Sequence, residues 1–219
     1  MEQPLVDEYV TGVAALSNPL SRQAYELAVQ EEWVSKDTVA EALQVARSVA
    51  GFHLDKLVES GLLTTRFERV SGRTGPGAGR PAKLYGRSDL EVEVSLPPRR
   101  YDLAGSLLAS AVARSTASGQ PVNEAVAEVA RDAGHALGKR ARRSGGLLGA
   151  LAAHGYEPRE QDGGITLVNC PFHMLAEEHR GLVCRMNLEF LSGVLAGVGE
   201  RRRRAVLDPV AGLCCVRIR

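Results

Sequence analysis

No cysteine occurs in the first 169 residues of this 219-residue chain, and no run of about 18 uncharged apolar residues occurs anywhere. The first absence excludes a disulfide framework spread over the whole chain, and the second excludes a membrane span read from composition. The opening MEQPLVDEYV has neither the basic nor the apolar stretch of an export leader, so a soluble, cytoplasmic protein with no membrane partner is expected. There is no nucleophile elbow, no phosphate loop and no His-Glu-x-x-His helix, and the chain is not expected to be an enzyme. Net charge is only +1, which leaves no overall bias toward an acidic or basic partner. With 44% hydrophobic residues, the chain has enough apolar material for one large or two modest cores.

The charge is unevenly spread. Acids prevail over residues 2–59, whereas residues 66–87 carry Arg66, Arg69, Arg73, Arg80, Lys83 and Arg87 against the single acid Glu68. Within that piece, GRTGPGAGRPAKLYGRS (residues 72–88) combines glycine, proline and four cations with no acid. Composition alone also fits a solvated linker, so its position in the chain has to decide.

Residues 6–16 read as a first amphipathic helix, and Ser17-Asn18-Pro19 stops it and caps the next, which runs to about Glu31. Trp33 and Val34 read as a short apolar link. Ser35 caps a helix through Leu43, residues 44–46 make a tight turn, and a second helix follows with Val49, His53, Leu57 and Val58 on one face until Gly61 ends it. Two short helices joined in this way match a helix-turn-helix, whose second helix enters the DNA major groove. Residues 62–70 and 82–85 then read as paired strands with the basic loop between them. A loop that must lie on phosphates needs positive charge, and glycine lets its backbone approach closely. Gly79-Arg80-Pro81 also suits an arginine inserted into a narrow minor groove.

Residues 35–88, through FHLDKLVESGLL and GRTGPGAGRPAKLY, resemble the winged helix-turn-helix of ArsR-like bacterial regulators. On this reading Arg47, Ser48 and Gly51 face base edges, and Phe52 and Lys56 lie near the backbone. Ser35 and Lys36 sit at a phosphate-binding helix N-terminus, and Arg73, Arg80 and Lys83 supply the wing. His53 reads as a packed, hydrogen-bonded core residue.

EVEVSL (residues 91–96) alternates like an edge strand and ends at Pro97-Pro98, a natural boundary. Two helical patterns follow, residues 101–116 and 123–143, rich in alanine and suited to a dimer seam or to packing within one chain. The cationic runs 139–143 and 201–204 read as solvated helix ends. From Ser144 the order is helix (147–154), strand (156–159), turn, strand (165–169), helix (174–198, broken near Gly181), strand, turn, strand. The fold class is therefore α+β, divided into a DNA-binding domain (1–97), a helical dimerisation region (98–143) and a small sensor domain (144–219).

All four cysteines fall in the last of these, spaced Cys170-x13-Cys184-x29-Cys214-Cys215, with His173 and His179 inside the first interval. Ligands so far apart converge only in a folded domain, and soft thiolates in a reducing compartment favour an iron-sulfur cluster or zinc. Four small buried hydrophobes are the plain alternative. NCPF (169–172), GLVC (181–184) and GLCC (212–215) make this half similar to the winged-helix repressors of bacterial iron-sulfur-cluster assembly operons. That resemblance implies a cluster, 4Fe-4S before 2Fe-2S, held by Cys170, Cys184 and the last strand, with repression by the cluster-bound form. Those repressors carry a further cysteine where this chain has RRRRAVLDPVAG, so the fourth ligand falls to His173, to His179, or to the second of Cys214 and Cys215. Adjacent strand residues face opposite ways, which favours His173.

The leading expectation is a homodimeric repressor that binds a palindromic operator in double-stranded DNA under control of the cluster or another metal. The alternatives are a winged-helix regulator with a pocket for a small organic effector and structural zinc or free thiols, and a thiol oxidoreductase using Cys214-Cys215.

Overall fold

Asn18 is where the chain first turns on a side chain. Its Oδ1 accepts the backbone N–H groups of Leu20 and Ser21, and Pro19 presets the first turn, so α1 (Val6–Ala15) stops and α2 (Pro19–Gln30) starts. The structure, a computed structural model, describes residues 6–68, 81–161 and 163–219, and its contacts divide the chain into two units, Met1–Val94 and Ser95–Arg219. Both helices and strands are present in each, so the fold is α+β.

In the first unit β1 (Trp33–Ser35) leads into α3 (Lys36–Leu43), where the Ser35 hydroxyl accepts the Thr38 N–H at 3.0 Å. Gln44 takes the left-handed conformation that closes α3, and α4 (Arg47–Glu59) begins three residues later. Gly61, at φ 76°, ends the excursion of α4 and starts β2 (Leu63–Glu68). β3 (Ala82–Arg87) pairs with β2 on one side and β1 on the other, giving the antiparallel order β1-β3-β2. Trp33 and Val34, expected as a link, are therefore an edge strand. Trp33 lies across from Gly86, and a Cβ there would come within 2.9 Å of the indole, so only glycine admits it. Ala24, Val39, Leu54, Leu57 and Tyr85 form the core beneath. Residues 91–96, expected as an edge strand, form none: Val92 packs on the core beside Gly12 and Leu62, and that single contact satisfies the alternation without a strand partner.

The second unit holds α5 (Tyr101–Ser118), α6 (Val122–Ala141), α7 (Gly146–Ala153), β4 (Pro158–Gln161), β5 (Gly164–Leu167), α8 (His173–Glu178), α9 (Arg180–Val198), β6 (Ala205–Leu207) and β7 (Val216–Ile218). The four strands form an antiparallel sheet in the order β4-β5-β7-β6. The helical segment 98–143 thus lies inside the unit that contains 144–219. The helix break falls at His179, which leaves the helical region at ψ 44°, and Gly181 sits within the first turn of α9.

α6 and α9 run parallel and nearly touch backbone to backbone. A Cβ at Gly134 would lie 1.9 Å from the Phe190 carbonyl oxygen, one at Gly138 2.2 Å from that of Val194, one at Gly193 2.2 Å from that of Arg131, and one at Gly197 2.3 Å from that of His135. The small residues of α6 are thus spent within the chain. Among the described residues only α9 is long and apolar enough to cross a membrane, and 56% of that stretch is buried inside this unit.

Candidate functional site

α4 shows two faces with different chemistry. Ala50, His53, Leu54 and Leu57 are buried, and His53 Nδ1 lies 2.9 Å from the Ser21 hydroxyl. The opposite face carries Arg47, Ser48, Phe52 and Lys56, all exposed, with Phe52 at 64%. Arg47 Nε lies 2.7 Å from Asp37 in the first turn of α3, a solvent-facing pair that a competing anion can open.

Four of the residues expected on nucleic acid are otherwise engaged. Gly51 is buried, because the Lys36 side chain crosses α4 directly above it, within 3.0 Å of where a Cβ would stand. One turn further on is Asp55, on the same face of the helix. Its carboxylate receives Lys36 Nζ at 3.1 Å, Lys83 Nζ at 2.8 Å and the Tyr85 hydroxyl at 2.7 Å, tying α3, α4 and β3 at one point. Burial acts to raise the Asp55 pKa, but the hydrogen bonds from Lys83, Tyr85 and Lys36 outweigh it and bring it down to about 2. Burial and the same carboxylate push the Tyr85 phenol well above its usual range. Gly51 is corrected from a base contact to the gap that lets Lys36 through. Lys36 and Lys83 hold Asp55 while keeping about a third of their side chains exposed. Ser35 spends its hydroxyl on the α3 cap. Arg73 and Arg80 lie outside the described residues. Arg66, on the hairpin stem, stacks its guanidinium 4.2 Å from the centre of the Trp33 ring.

In the second unit all four cysteines are free thiols. Cys184, on α9, has its sulfur 2.8 Å from that of Cys215, and Cys170, after β5, neighbours Cys214 closely enough for the two thiols to influence each other's ionisation. Cys214 and Cys215 precede β7 on bent backbone and do not lie on the strand as expected, so strict alternation does not govern them and each finds a sulfur partner. The Asn187 amide donates to the Cys214 sulfur at 3.3 Å and is itself oriented by the Tyr156 hydroxyl. The Cys214 thiol, the Phe172 N–H and the nearby Arg99 charge favour the Cys170 thiolate over the opposing effect of burial, and lower its pKa. The Cys170 contact and burial raise that of Cys214, and burial followed by Cys215 raises that of Cys184.

A cavity of about 610 Å³ opens beside the thiols, lined among others by Arg99, Asn169, Cys170, His173, Arg180 and Cys215. Arg99 is held there by Asn169 Oδ1 and the Cys170 carbonyl. His173 lies at its rim, its side chain 52% exposed and 3.2 Å from Glu177, and His179 is still more exposed beside Glu178. Among the described residues no three His, Cys, Asp or Glu side chains meet as one ready ligand set; the sulfurs come together as two pairs. Comparison with family models, curated proteins and solved structures gives no match.

The Asp55 network, Asn187 and the helix seam were not expected from the sequence. The seam did leave a signal, since Gly134 and Gly138 repeat the four-residue glycine spacing of Gly193 and Gly197.

Proposed function

We propose that this chain is a homodimeric cytoplasmic repressor of transcription. Its first unit is read as a winged helix-turn-helix, with α3 and α4 the paired helices and the β2–β3 hairpin the wing. Its second unit is read as a sensor in which thiolates of Cys170, Cys184, Cys214 and Cys215 hold an iron-sulfur cluster or zinc. The observation that carries the reading is that every cysteine of the chain, from three separate segments, lies in one of two neighbouring sulfur pairs, Cys184 with Cys215 and Cys170 with Cys214, in the unit that does not contain α3 and α4. The chemistry of the donors suits such a centre, which would draw the two sulfur pairs together: four soft sulfurs without a disulfide, an amide N–H on Cys214, and a cation beside Cys170 that favours the thiolate. The exposed α4 face, Arg47, Ser48, Phe52 and Lys56, supports contact with a duplex.

When bound, the metal supplies crosslinking of the β5 end, α9 and the β7 approach, and its gain or loss changes how ordered that region is. The residues do the rest: Asn187 orients one sulfur, Arg99 fixes the Asn169-Cys170 turn, and Cys184 ties the change to α9. A coupling of about 1–3 kcal/mol is enough to alter operator occupancy. A second reading, a pocket for a small organic effector, is favoured by the cavity beside the thiols with Arg99 and Arg180 in its wall.

Purification without oxygen followed by iron, acid-labile sulfide and zinc analysis tests the sensor. Brown protein with iron and sulfide that Cys184→Ser loses is the expected result. Stoichiometric zinc in colourless protein selects the zinc form. Protein with neither metal overturns the sensor reading and leaves the effector pocket, while disulfide turnover by the Cys214-Cys215 pair would make it an oxidoreductase.

A further inference from the structure

The two cationic runs 139–143 and 201–204 are 58 residues apart in sequence, and the parallel packing of α6 on α9 puts them at one end of the second unit. Gly138 and Gly197 face each other in the last turns of the two helices: a Cβ on Gly197 would be 2.9 Å from the Lys139 nitrogen, and one on Gly138 2.8 Å from the Val198 nitrogen. Gly199 turns the chain in the left-handed conformation, and the Glu200 N–H returns to the Leu195 carbonyl, so 201–204 emerges against the same helix ends. A recess of about 830 Å³ there is walled by Lys139, Arg140, Arg142 and Arg143 with Ala196 and Gly197 of α9.

Parallel helices bring two negative dipole ends together, which explains some of this charge. Each end carries about half an elementary charge, so the pair asks for about one cation. The two runs hold eight, and no acid occurs between Asp132 and Glu157 or from Arg201 to Leu207. Glu160 takes Arg203, and Glu200 uses its carboxylate on the Arg202 backbone N–H. Lys139, Arg140, Arg142, Arg143, Arg201 and Arg202 are exposed. The surplus far exceeds what the dipoles need, and held this close the cations repel one another unless an anion of many charges covers them.

We infer that this end of the second unit is a separate binding surface for the phosphate backbone of duplex DNA; the choice of DNA among polyanions rests on the function proposed above. Cations without interleaved aromatic residues suit contact with phosphate and carry no base recognition.

The test uses the full chain and a duplex of random sequence, with binding followed by fluorescence anisotropy over a range of salt. The fourfold variant Arg142→Ala, Arg143→Ala, Arg201→Ala, Arg202→Ala is compared with Arg47→Ala/Lys56→Ala in the first unit and with the fourfold Arg→Lys variant. The expected result is a loss of affinity of about tenfold or more at low salt, a log-log salt slope shallower by about two to four, and retention of both by the lysine variant. An unchanged slope and affinity in the fourfold alanine variant, with a loss in the first-unit variant, overturns this surface and leaves the proposed function standing. A loss confined to the fourfold variant, with the first-unit variant unaffected, supports this surface and sinks the helix-turn-helix reading. Loss of binding to phosphatidylglycerol vesicles with DNA binding intact assigns the cations to a lipid surface and overturns the proposal. A matching circular dichroism spectrum and melting curve in all variants separates these outcomes from unfolding.

Discussion

The helix that carries the exposed face of the first unit, α4, is fastened by an ionised carboxylate, whereas α6 in the second unit is fastened by the lack of side chains. Asp55 gathers Lys36, Lys83 and Tyr85 at distances of 2.7 to 3.1 Å, and the side chains concerned remain partly open to water. Gly134 and Gly138 let α6 lie on the α9 backbone with no room for a methyl group. The first kind of joint can loosen, exchange partners and respond to pH. The second has only one arrangement. A unit that must adapt to a ligand surface is served by the former, and a unit that must keep separate chain segments in register is served by the latter.

The sharpest way to break this contrast is Gly138→Ala. The new methyl would meet backbone atoms that cannot swing aside, so a loss of about 3 kcal/mol or more is expected, seen as a drop of roughly 10 °C or more in the melting of the second unit. Unchanged melting would mean that the seam is looser than 2.2 Å implies. Next in size is Asp55→Ala, which leaves two lysines and a phenol without their acceptor. The first unit should lose about 1–2 kcal/mol, the figure being reduced because the site is partly solvated. The same network sets a pH dependence. Because the folded Asp55 pKa is depressed from 3.8 to about 2, its contribution is complete above pH 4 and is lost as pH falls toward 2. Denaturant titrations across that window should show wild type converging on Asp55→Ala. The smallest effects come from glycines that are free to change. Gly105→Ala, on α5 with nothing within 4 Å, should stabilise by up to about 1 kcal/mol, and Gly51→Ala should be near neutral because only the tip of Lys36 must move. If Gly51→Ala proved as damaging as Gly138→Ala, the distinction between the two joints would fail.

Most helices were legible because their apolar spacing is regular, and the α2 and α3 starts were legible because Asn18 and Ser35 are strong caps. β1 was not, since three residues give no period and its pairing depends on a glycine more than fifty residues away. Residues 91–96 misled in the opposite sense, for alternation records only which side chains face inward and not whether a strand partner exists. The clustering of cysteines in the last quarter could be read from the sequence, but their pairing could not, because it depends on bent backbone before β7. Gly51 was misjudged for a related reason: a helix position carries a direction only once the neighbouring Lys36 is in place.

The glycine seam has one more consequence, for how motion travels. Cys184 stands one turn from the start of α9, and about 21 Å of helix separates it from the far end, where the arginine-rich turn begins. With no side chains in the seam to repack, α9 cannot slip along α6 by a fraction of a turn and take up a small shift. Whatever tugs on that sulfur is passed down the pair as by a stiff rod, arriving undamped at the opposite pole.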